Sequence, residues 1–303
     1  MRYSGIGGQA VMEGVMMRNA DKYAVAVRKT DGEIVVKTEE YKGIVQNKKI
    51  RSLPIIRGVF SFIDSMVLGM STLTYSASFF MDEEEEEKDE KKESVMMGLT
   101  IACSVVMAVA IFMILPYFLS QLFRKFTDST TLITLLEGAV RLVIFFGYIL
   151  LISRMKDIQR VFMYHGAEHK CINCIEHGME LNVENVLKSS RLHKRCGTSF
   201  LFIVMIVSII FFLFIRIESP IWRVVFRLLL MPVIAGVSFE FIRLAGKSEN
   251  KLVILLSKPG MMLQKLTTRE PDASMAEVAI ASVEAVFDWR AYLKENFGWQ
   301  EKV

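Results

Sequence analysis

Residues 131–153 read TLITLLEGAVRLVIFFGYILLIS, and only Glu137 and Arg141 carry a charge in this run. A helix of about 20 apolar residues is long enough to cross the hydrocarbon core of a bilayer. Three other runs are similarly apolar, so we predict a polytopic helical membrane bundle that contacts the lipid bilayer. The four runs are residues 95–123, 131–153, 198–215 and 221–246.

The composition of the 303-residue chain also favours a membrane location. Hydrophobic residues make up 52% of it, with 21 Phe and 19 Met, which exceeds the share in ordinary soluble domains. The net charge is only +4 and the basic residues form no stripe interleaved with aromatic ones, so we expect no specific nucleic-acid partner. The first residues lack a basic segment followed by an apolar one, so no cleavable signal peptide is predicted.

The connections between the four runs predict the orientation of the protein. Residues 154–197 form a long hydrophilic connection with eight Lys and Arg residues, whereas 124–130 and 216–220 are short. Because cytoplasmic loops carry an excess of Lys and Arg, the long connection is predicted to be cytoplasmic. Four crossings of the inner (plasma) membrane then place the N-terminus and the C-terminal tail in the cytoplasm as well.

The chain before the first run predicts a small cap that contains β-structure. Asp31-Gly32 lies between two runs rich in β-forming residues, which is a strong signal for a hairpin. The glycine-rich stretch from Gly5 to Gln9 lacks the Lys and Ser or Thr of a phosphate-binding loop, so a tight turn is the better interpretation. The cap is therefore expected to hold one hairpin.

Residues 54–81 predict an amphipathic helix, because apolar side chains recur there at helical spacing. A crossing helix would have to bury Arg57 and Asp64, so we expect this helix to lie half-embedded at the membrane surface. The highly charged residues 82–94 predict a solvated linker. In the tail, the apolar pattern that follows Pro271-Asp272 predicts an amphipathic helix docked on the cytoplasmic face.

The predicted fold is thus mainly α, and it divides into seven parts. These are a cytoplasmic cap with a small β-hairpin (1–53), an amphipathic, half-embedded helix (54–81), an acidic linker (82–94), a first transmembrane hairpin (95–153), a cytoplasmic His/Cys loop (154–197), a second transmembrane hairpin (198–246) and a cytoplasmic tail with an amphipathic helix (247–303).

The His/Cys loop holds all four histidines of the chain and three of its four cysteines. Within it, residues 165–169 read HGAEH, an H-x-x-E-H pattern. On a helix this spacing places His165 and His169 on one side, where both can reach a single zinc ion. In such sites the carboxylate takes a proton from metal-bound water, so Glu168 is the predicted catalytic base.

Three interpretations of this loop stay open at the level of sequence. Spacing alone allows a closed zinc site built from the pairs Cys171-x-x-Cys174 and His193-x-x-Cys196. It also allows a mixed set, which we favour because an enzyme needs only three protein ligands and one free position. A third interpretation makes the histidines hydrogen-bonded core residues. The mixed set consists of His165, His169, His193 and Cys196.

Charged residues inside the apolar runs need partners, because an unpaired charge in the bilayer is costly. Glu137 in the second run and Arg227 in the fourth are expected at similar depth, so the sequence predicts an ion pair between them. The alternative interpretation is a polar path for a substrate or for a partner helix.

Four motifs in the same order resemble a bacterial family of multipass membrane proteins, the YqhQ-like proteins, over nearly the full length of the chain. The resemblance implies a metal-dependent enzyme without naming a substrate. It also implies that His165, Glu168, His169, His193 and Cys196 surround a metal, and that Glu13 and Arg18 belong to the same cytoplasmic site. The motifs are GGQAVMEGVMMR (7–18), YHGAEHK (164–170), HKRCGTSF (193–200) and PGMMLQKLTTREPD (259–272).

Two functions from different classes follow from these patterns. The first is a metal-dependent hydrolase at the cytoplasmic face, in which a divalent ion, zinc by the nature of its ligands, is used with Glu168. The second is a non-enzymatic factor for membrane-protein biogenesis, a chaperone or a scaffold. It would hold other membrane proteins, the protein-conducting channel or the ribosome through the amphipathic helix and the Met-rich surfaces.

Overall fold

The fold was established from a computed structural model, which describes residues 2–80, 90–215, 217, 219–247 and 250–300. Residues 82–89 of the acidic linker predicted at 82–94 lie outside these residues. The described chain is mainly helical, with a small N-terminal antiparallel sheet.

The N-terminal sheet is a four-stranded meander of β1 (Gly7–Val11), β2 (Gly14–Asn19), β3 (Lys22–Arg28) and β4 (Ile34–Glu40). The predicted hairpin joins β3 and β4, and Gly32 in its turn has a φ of +91°, a region that glycine enters without steric cost. The prediction of a tight turn from Gly5 to Gln9 was wrong from Gly7 onwards, because these residues form β1 and pair with β2.

The described chain contains twelve α-helices. They are α1 (Lys48–Ser52), α2 (Ile56–Ala77), α3 (Glu90–Val109), α4 (Leu115–Gln121), α5 (Thr130–Ile152), α6 (Lys156–Glu176), α7 (Val183–Lys188), α8 (Gly197–Phe214), α9 (Pro220–Lys247), α10 (Lys251–Thr267), α11 (Ala273–Val286) and α12 (Trp289–Phe297). The predicted tail helix is α11, whose N-cap is Asp272.

Five helical segments are long and apolar enough to cross a membrane, within the part of the chain that the structure describes. Four of them coincide with the predicted apolar runs, and the fifth is the helix predicted to be half-embedded. A π-helical turn at Ala110–Ile114 joins α3 to α4 within the second segment. The five segments are Ile56–Phe80, Val95–Lys125, Thr130–Ile152, Gly197–Phe214 and Ile221–Gly246.

The two central strands, β2 and β3, are buried on both faces, which explains the continuous apolar run in β3. One face, which includes Met17 and Ala26, shares a core with α6 and α11. The opposite face, which includes Met16 and Val25, packs against Leu68 of α2. The cap is therefore a layered unit of α2, the sheet, and the pair α6 and α11, rather than a hairpin beside a loop.

The membrane bundle is built around α5, α8 and α9. Glu137 of α5 accepts hydrogen bonds from Arg227 of α9 at 2.9 Å and from Arg141 one turn away at 2.9 Å. Arg141 also donates to Ser208 of α8 at 2.9 Å. The structure thus confirms the predicted pair of Glu137 and Arg227 and adds Arg141 to it.

Candidate metal centre

Helix α6 positions the central histidines of the site. It covers the H-x-x-E-H pattern, so His165 and His169 lie one turn apart on it. A Cβ atom on Gly166 would lie 2.0 Å from the backbone oxygen of Arg269, so only glycine lets the chain after α10 pass this close to α6. That close approach brings the carbonyl group of Thr267 to His165.

Both histidines are held through one ring nitrogen and present the other to the site. Nδ1 of His165 lies 2.9 Å from the carbonyl oxygen of Thr267, and Nδ1 of His169 lies 2.7 Å from that of Arg191. A carbonyl oxygen only accepts, so each Nδ1 carries the proton and each Nε2 keeps its lone pair in the neutral ring. This is the arrangement by which proteins orient metal-ligating histidines.

Cys196 completes a cluster of three ligand atoms with these histidines. Its Sγ lies 3.2 Å from Nε2 of His165, and the ligand atoms of the three residues all lie within 4.8 Å of one another. The cysteine is the last residue before α8, so the cluster sits where the chain enters an apolar helix. Within the described residues this is the one group of three or more His, Cys, Asp or Glu side chains close enough to hold a metal ion.

Glu168 lies beside the cluster without joining it. Its Oε2 is 3.9 Å from Nε2 of His165, and the backbone N–H of Gly8 donates to its carboxylate. A Cβ atom on Gly8 would lie 3.0 Å from Cγ of Glu168, so the glycine lets strand β1 reach the site. Sequence reasoning missed Gly8, because its partner lies 160 positions away along the chain.

His193 lies beside the cluster without joining its three ligand atoms, although it was predicted as a ligand. Its Nε2 lies 3.5 Å from Oε2 of the buried Glu176, which also accepts a hydrogen bond from Arg195 at 2.6 Å. The backbone N–H of His193 donates to Oε1 of Gln264 at 2.8 Å, and Nε2 of Gln264 donates to the carbonyl oxygen of His193 at 2.7 Å. The structure therefore brings together His165, His169 and Cys196, and it places His193 in a neighbouring ionic network.

Cys171 and Cys174 lie in the hydrophobic core of the cap, not in the metal cluster. The thiol of Cys174 donates to the carbonyl oxygen of Glu180 at 3.3 Å. Burial raises the pKa of Cys174 to about 12 and that of Cys171 well above its usual value, so both stay protonated thiols. This geometry speaks against the closed zinc site of two cysteine-containing pairs.

The cysteine and the two histidines of the cluster shift the pKa values of one another. Burial disfavours the charged form of Cys196, but the two neighbouring histidines outweigh it and hold the pKa of this thiol well below its usual range. In the same way, burial opposes protonation of His165, but the Cys196 thiolate raises the pKa of this histidine to about 9. Burial raises the pKa of Glu168. A thiolate and two imidazoles in one buried space form a donor set that zinc prefers.

A family model described as "Protein of unknown function (DUF1385)" matches residues 53–289. The chain belongs to this family. It is 36% identical over 301 residues to the uncharacterized protein YqhQ of Bacillus subtilis (strain 168), which covers 96% of this chain and 94% of that protein. No solved structure matches the chain. These findings confirm the resemblance read from the four motifs, and they assign no reaction to it.

The stretch matched by the DUF1385 model leaves out the N-terminal sheet, which carries the two further residues expected at the site. Glu13, in the turn between β1 and β2, forms an ion pair with Arg160 of α6. Arg18 donates to the carbonyl oxygen of Ala20 at 2.8 Å. Neither side chain belongs to the group of three metal-binding side chains, so Glu13 is a contact that ties the sheet to α6.

Proposed function

We propose that this member of the DUF1385 family is a membrane-bound, metal-dependent hydrolase. His165, His169 and Cys196 would hold a divalent ion, zinc by the nature of the donors, and Glu168 would act as the base. The observation that carries this proposal is the fixed orientation of both histidines. Their Nδ1 atoms are taken by backbone carbonyl groups, and Nε2 of His165 lies 3.2 Å from Sγ of Cys196, so the ligand atoms converge on one point.

Three protein ligands leave a fourth position for water or substrate, which is typical of catalytic zinc sites. A zinc ion held by these three residues would lower the pKa of a bound water and polarise a carbonyl or phosphoryl oxygen. Glu168 is placed to accept the proton, because its carboxylate lies next to His165 and burial favours its uptake of a proton. The side chain of His165 is 15% exposed and that of Glu168 is 6% exposed, so the His165 edge is the side open to a substrate.

We also propose that four helices cross the membrane and that α2 does not. The sheet and α6 share one core, so they lie on the same side of the membrane. Three of the five apolar segments separate them along the chain, and an odd number of crossings would put them on opposite sides. One of these three segments therefore stays on the side of the cap.

Contacts with the sheet support α2 as the helix that does not cross. Leu68 packs into the core of the sheet, and Gly69 approaches Gln9 so closely that a Cβ would lie 2.5 Å from its side chain. Further along α2, the hydroxyl oxygen of Ser76 accepts a hydrogen bond from the backbone of Met12 at 3.1 Å. With eight basic residues in 154–197 on this side, the positive-inside rule supports a cytoplasmic cap and cytoplasmic termini.

The enzyme proposal is tested by metal analysis of the purified full-length protein in detergent. We expect His165→Ala and Cys196→Ser to lose the metal, and Glu168→Gln to keep it while it fails to complement a deletion strain. Cys174→Ser is the matched control, since it removes a buried cysteine outside the cluster and should keep both metal and function. Full metal retention by Cys196→Ser would refute the ligand set, and full complementation by Glu168→Gln would refute the catalytic role.

A second candidate function, a scaffold for membrane-protein biogenesis, rests on the outer face of α2. There Ile63, Met66, Val67, Met70 and Leu73 are exposed on one side of the helix. Such a flexible, Met-rich surface suits partners of varied sequence. Recovery of the protein-conducting channel or ribosomes with the purified protein, unchanged by His165→Ala, would favour this function over the enzyme.

A further inference from the structure

Helix α10 (Lys251–Thr267) has one buried side and one exposed apolar side. Its buried residues face the protein, and a Cβ atom on Gly260 would lie 3.0 Å from Cβ of Ser199 in the first turn of α8. Its exposed residues include Leu252, Leu255, Leu256 and Met262, the last of them 64% exposed. At about 100° per residue these four side chains occupy one continuous arc of the helix.

A row of lysines borders this apolar arc. Lys251, Lys258 and Lys265 recur at every seventh residue, so they lie almost in line along the helix, and all three are exposed. Lysine stems that run beside an apolar face and end in an ammonium group are typical of helices at a membrane surface, where the charge reaches the phosphate level.

The position of α10 in the chain fixes its level relative to the bilayer. Three residues separate it from α9, which contains an apolar segment long enough to cross the membrane. Its buried side packs on the first turn of α8, where a second such segment starts. Both neighbours therefore hold α10 at the level where the chain leaves the hydrocarbon core.

We propose that α10 lies in the plane of the membrane surface and binds anionic phospholipids. The apolar arc is buried among acyl chains, and the lysine row binds the phosphate groups of the headgroups. The charge of three lysines in line complements an anionic leaflet. The proposal does not depend on a metal at the neighbouring site.

The position of α10 at the membrane surface also affects the candidate metal centre. The last turn of α10 supplies the carbonyl group of Thr267 that holds His165 and the amide of Gln264 that holds the backbone of His193. The histidine cluster is therefore tied to the level of the lipid headgroups through α10, in addition to Cys196 at the start of α8.

The position of α10 is tested with a fluorescent probe on the full-length protein in lipid nanodiscs. Cys103 is exposed and is first replaced in Cys103→Ala, while the buried Cys171, Cys174 and Cys196 are not expected to react in the folded protein. Met262→Cys then carries the probe, and Glu295→Cys, on the exposed face of α12, is the control. We expect lipids with brominated acyl chains to quench the probe at residue 262 several-fold more than the probe at residue 295.

The choice of lipid is tested with the same probe and spin-labelled lipids. Spin-labelled phosphatidylglycerol should quench the probe at residue 262 more than spin-labelled phosphatidylcholine at equal mole fraction. Replacing all three lysines by Gln should remove this difference, and replacing them by Arg should keep it. Equal quenching by both lipids in the wild-type lysine background would overturn the anionic preference.

Two outcomes would overturn the membrane seating itself. One is quenching by brominated lipids no stronger at residue 262 than at the control, together with strong quenching by aqueous iodide. The other is efficient disulfide cross-linking between two copies at Met262→Cys, which would assign the apolar arc to a second copy of this chain.

Discussion

The cap and the membrane bundle place their apolar side chains in opposite directions. In the cap, Tyr164, Ile172 and Ile175 of α6 are almost fully buried between the sheet and α11. In the bundle, Val143 is 71% exposed and Ile221 is 75% exposed. Water drives apolar groups together in the cap, whereas lipid tails accept them, so helix association in the bundle relies on packing and polar contacts. An apolar residue such as isoleucine therefore stabilises the fold of the cap when it is buried there. On the outside of the bundle it makes the surface compatible with lipid and adds little to the free energy of unfolding.

The largest effect is expected for the polar contacts that hold the helices of the bundle together. Glu137→Leu leaves the guanidinium groups of Arg141 and Arg227 without their shared carboxylate inside the bundle. Removing one partner of a buried pair costs about 3–5 kcal/mol of unfolding free energy. Unfolding of the purified protein in mixed micelles measures this loss. Glu137→Gln keeps an acceptor oxygen and should lose less, and wild-type stability of Glu137→Leu would show that the polar cluster does not hold the helices together.

A smaller effect on the free energy of unfolding is expected from the buried carboxylate of Glu176 in the cap. Burial favours the neutral acid, but the hydrogen bond with His193 and the charge of Arg195 hold the pKa of Glu176 at about 2, below its usual 4.5. The carboxylate therefore stabilises the folded state above about pH 4.5, and this contribution is lost as the pH falls towards about 2. Glu176→Gln should lose about 1.5–3 kcal/mol at neutral pH.

Denaturant unfolding of wild type and Glu176→Gln over a range of pH measures this difference. The gap between the two proteins should narrow in acid, since the wild type loses its charge there. Glu284→Gln, in the exposed part of α11, controls for the removal of a carboxylate from the cap. A gap that stays constant down to about pH 3 would contradict the linkage.

The smallest effect is expected from replacing isoleucine by valine, once in the cap and once in the membrane bundle. Ile172→Val removes a methylene group from the cap core and should cost about 0.5–1.5 kcal/mol. Ile221→Val removes the same group from a lipid-facing position and should change stability by less than about 0.5 kcal/mol. The two variants are compared by unfolding under identical conditions. Equal losses would mean that Ile221 packs against protein in the membrane.

Local signals in the sequence predicted the features that depend on neighbours along the chain. The length of the apolar runs predicted four of the five membrane-length helices, and the i, i+4 spacing of His165 and His169 predicted their common side of α6. The contacts of His193 were not predictable from the sequence. Its side chain lies against Glu176, which also pairs with Arg195, and these contacts are set by the fold.

The strands β1 and β2 were missed for a related reason. β2 is buried on both faces, so it lacks the alternation of apolar and polar residues that marks a half-buried strand. Gly8 interrupts β1 at the point where Glu168 approaches, and a glycine in a strand reads as a turn when its distant partner is unknown.

The layered cap has a consequence for how the protein is made. Its sheet is complete at Glu40, but α11, which covers one face of that sheet, begins only at Ala273. At about 5–20 residues per second, a ribosome needs roughly 10–50 s to synthesise the stretch between them. During that time one apolar face of the sheet lacks the contact with α11, while all five apolar segments are synthesised. The nascent chain is thus most vulnerable to aggregation before α11 emerges, and His165 gains its contact with Thr267 only after all five apolar segments have been synthesised.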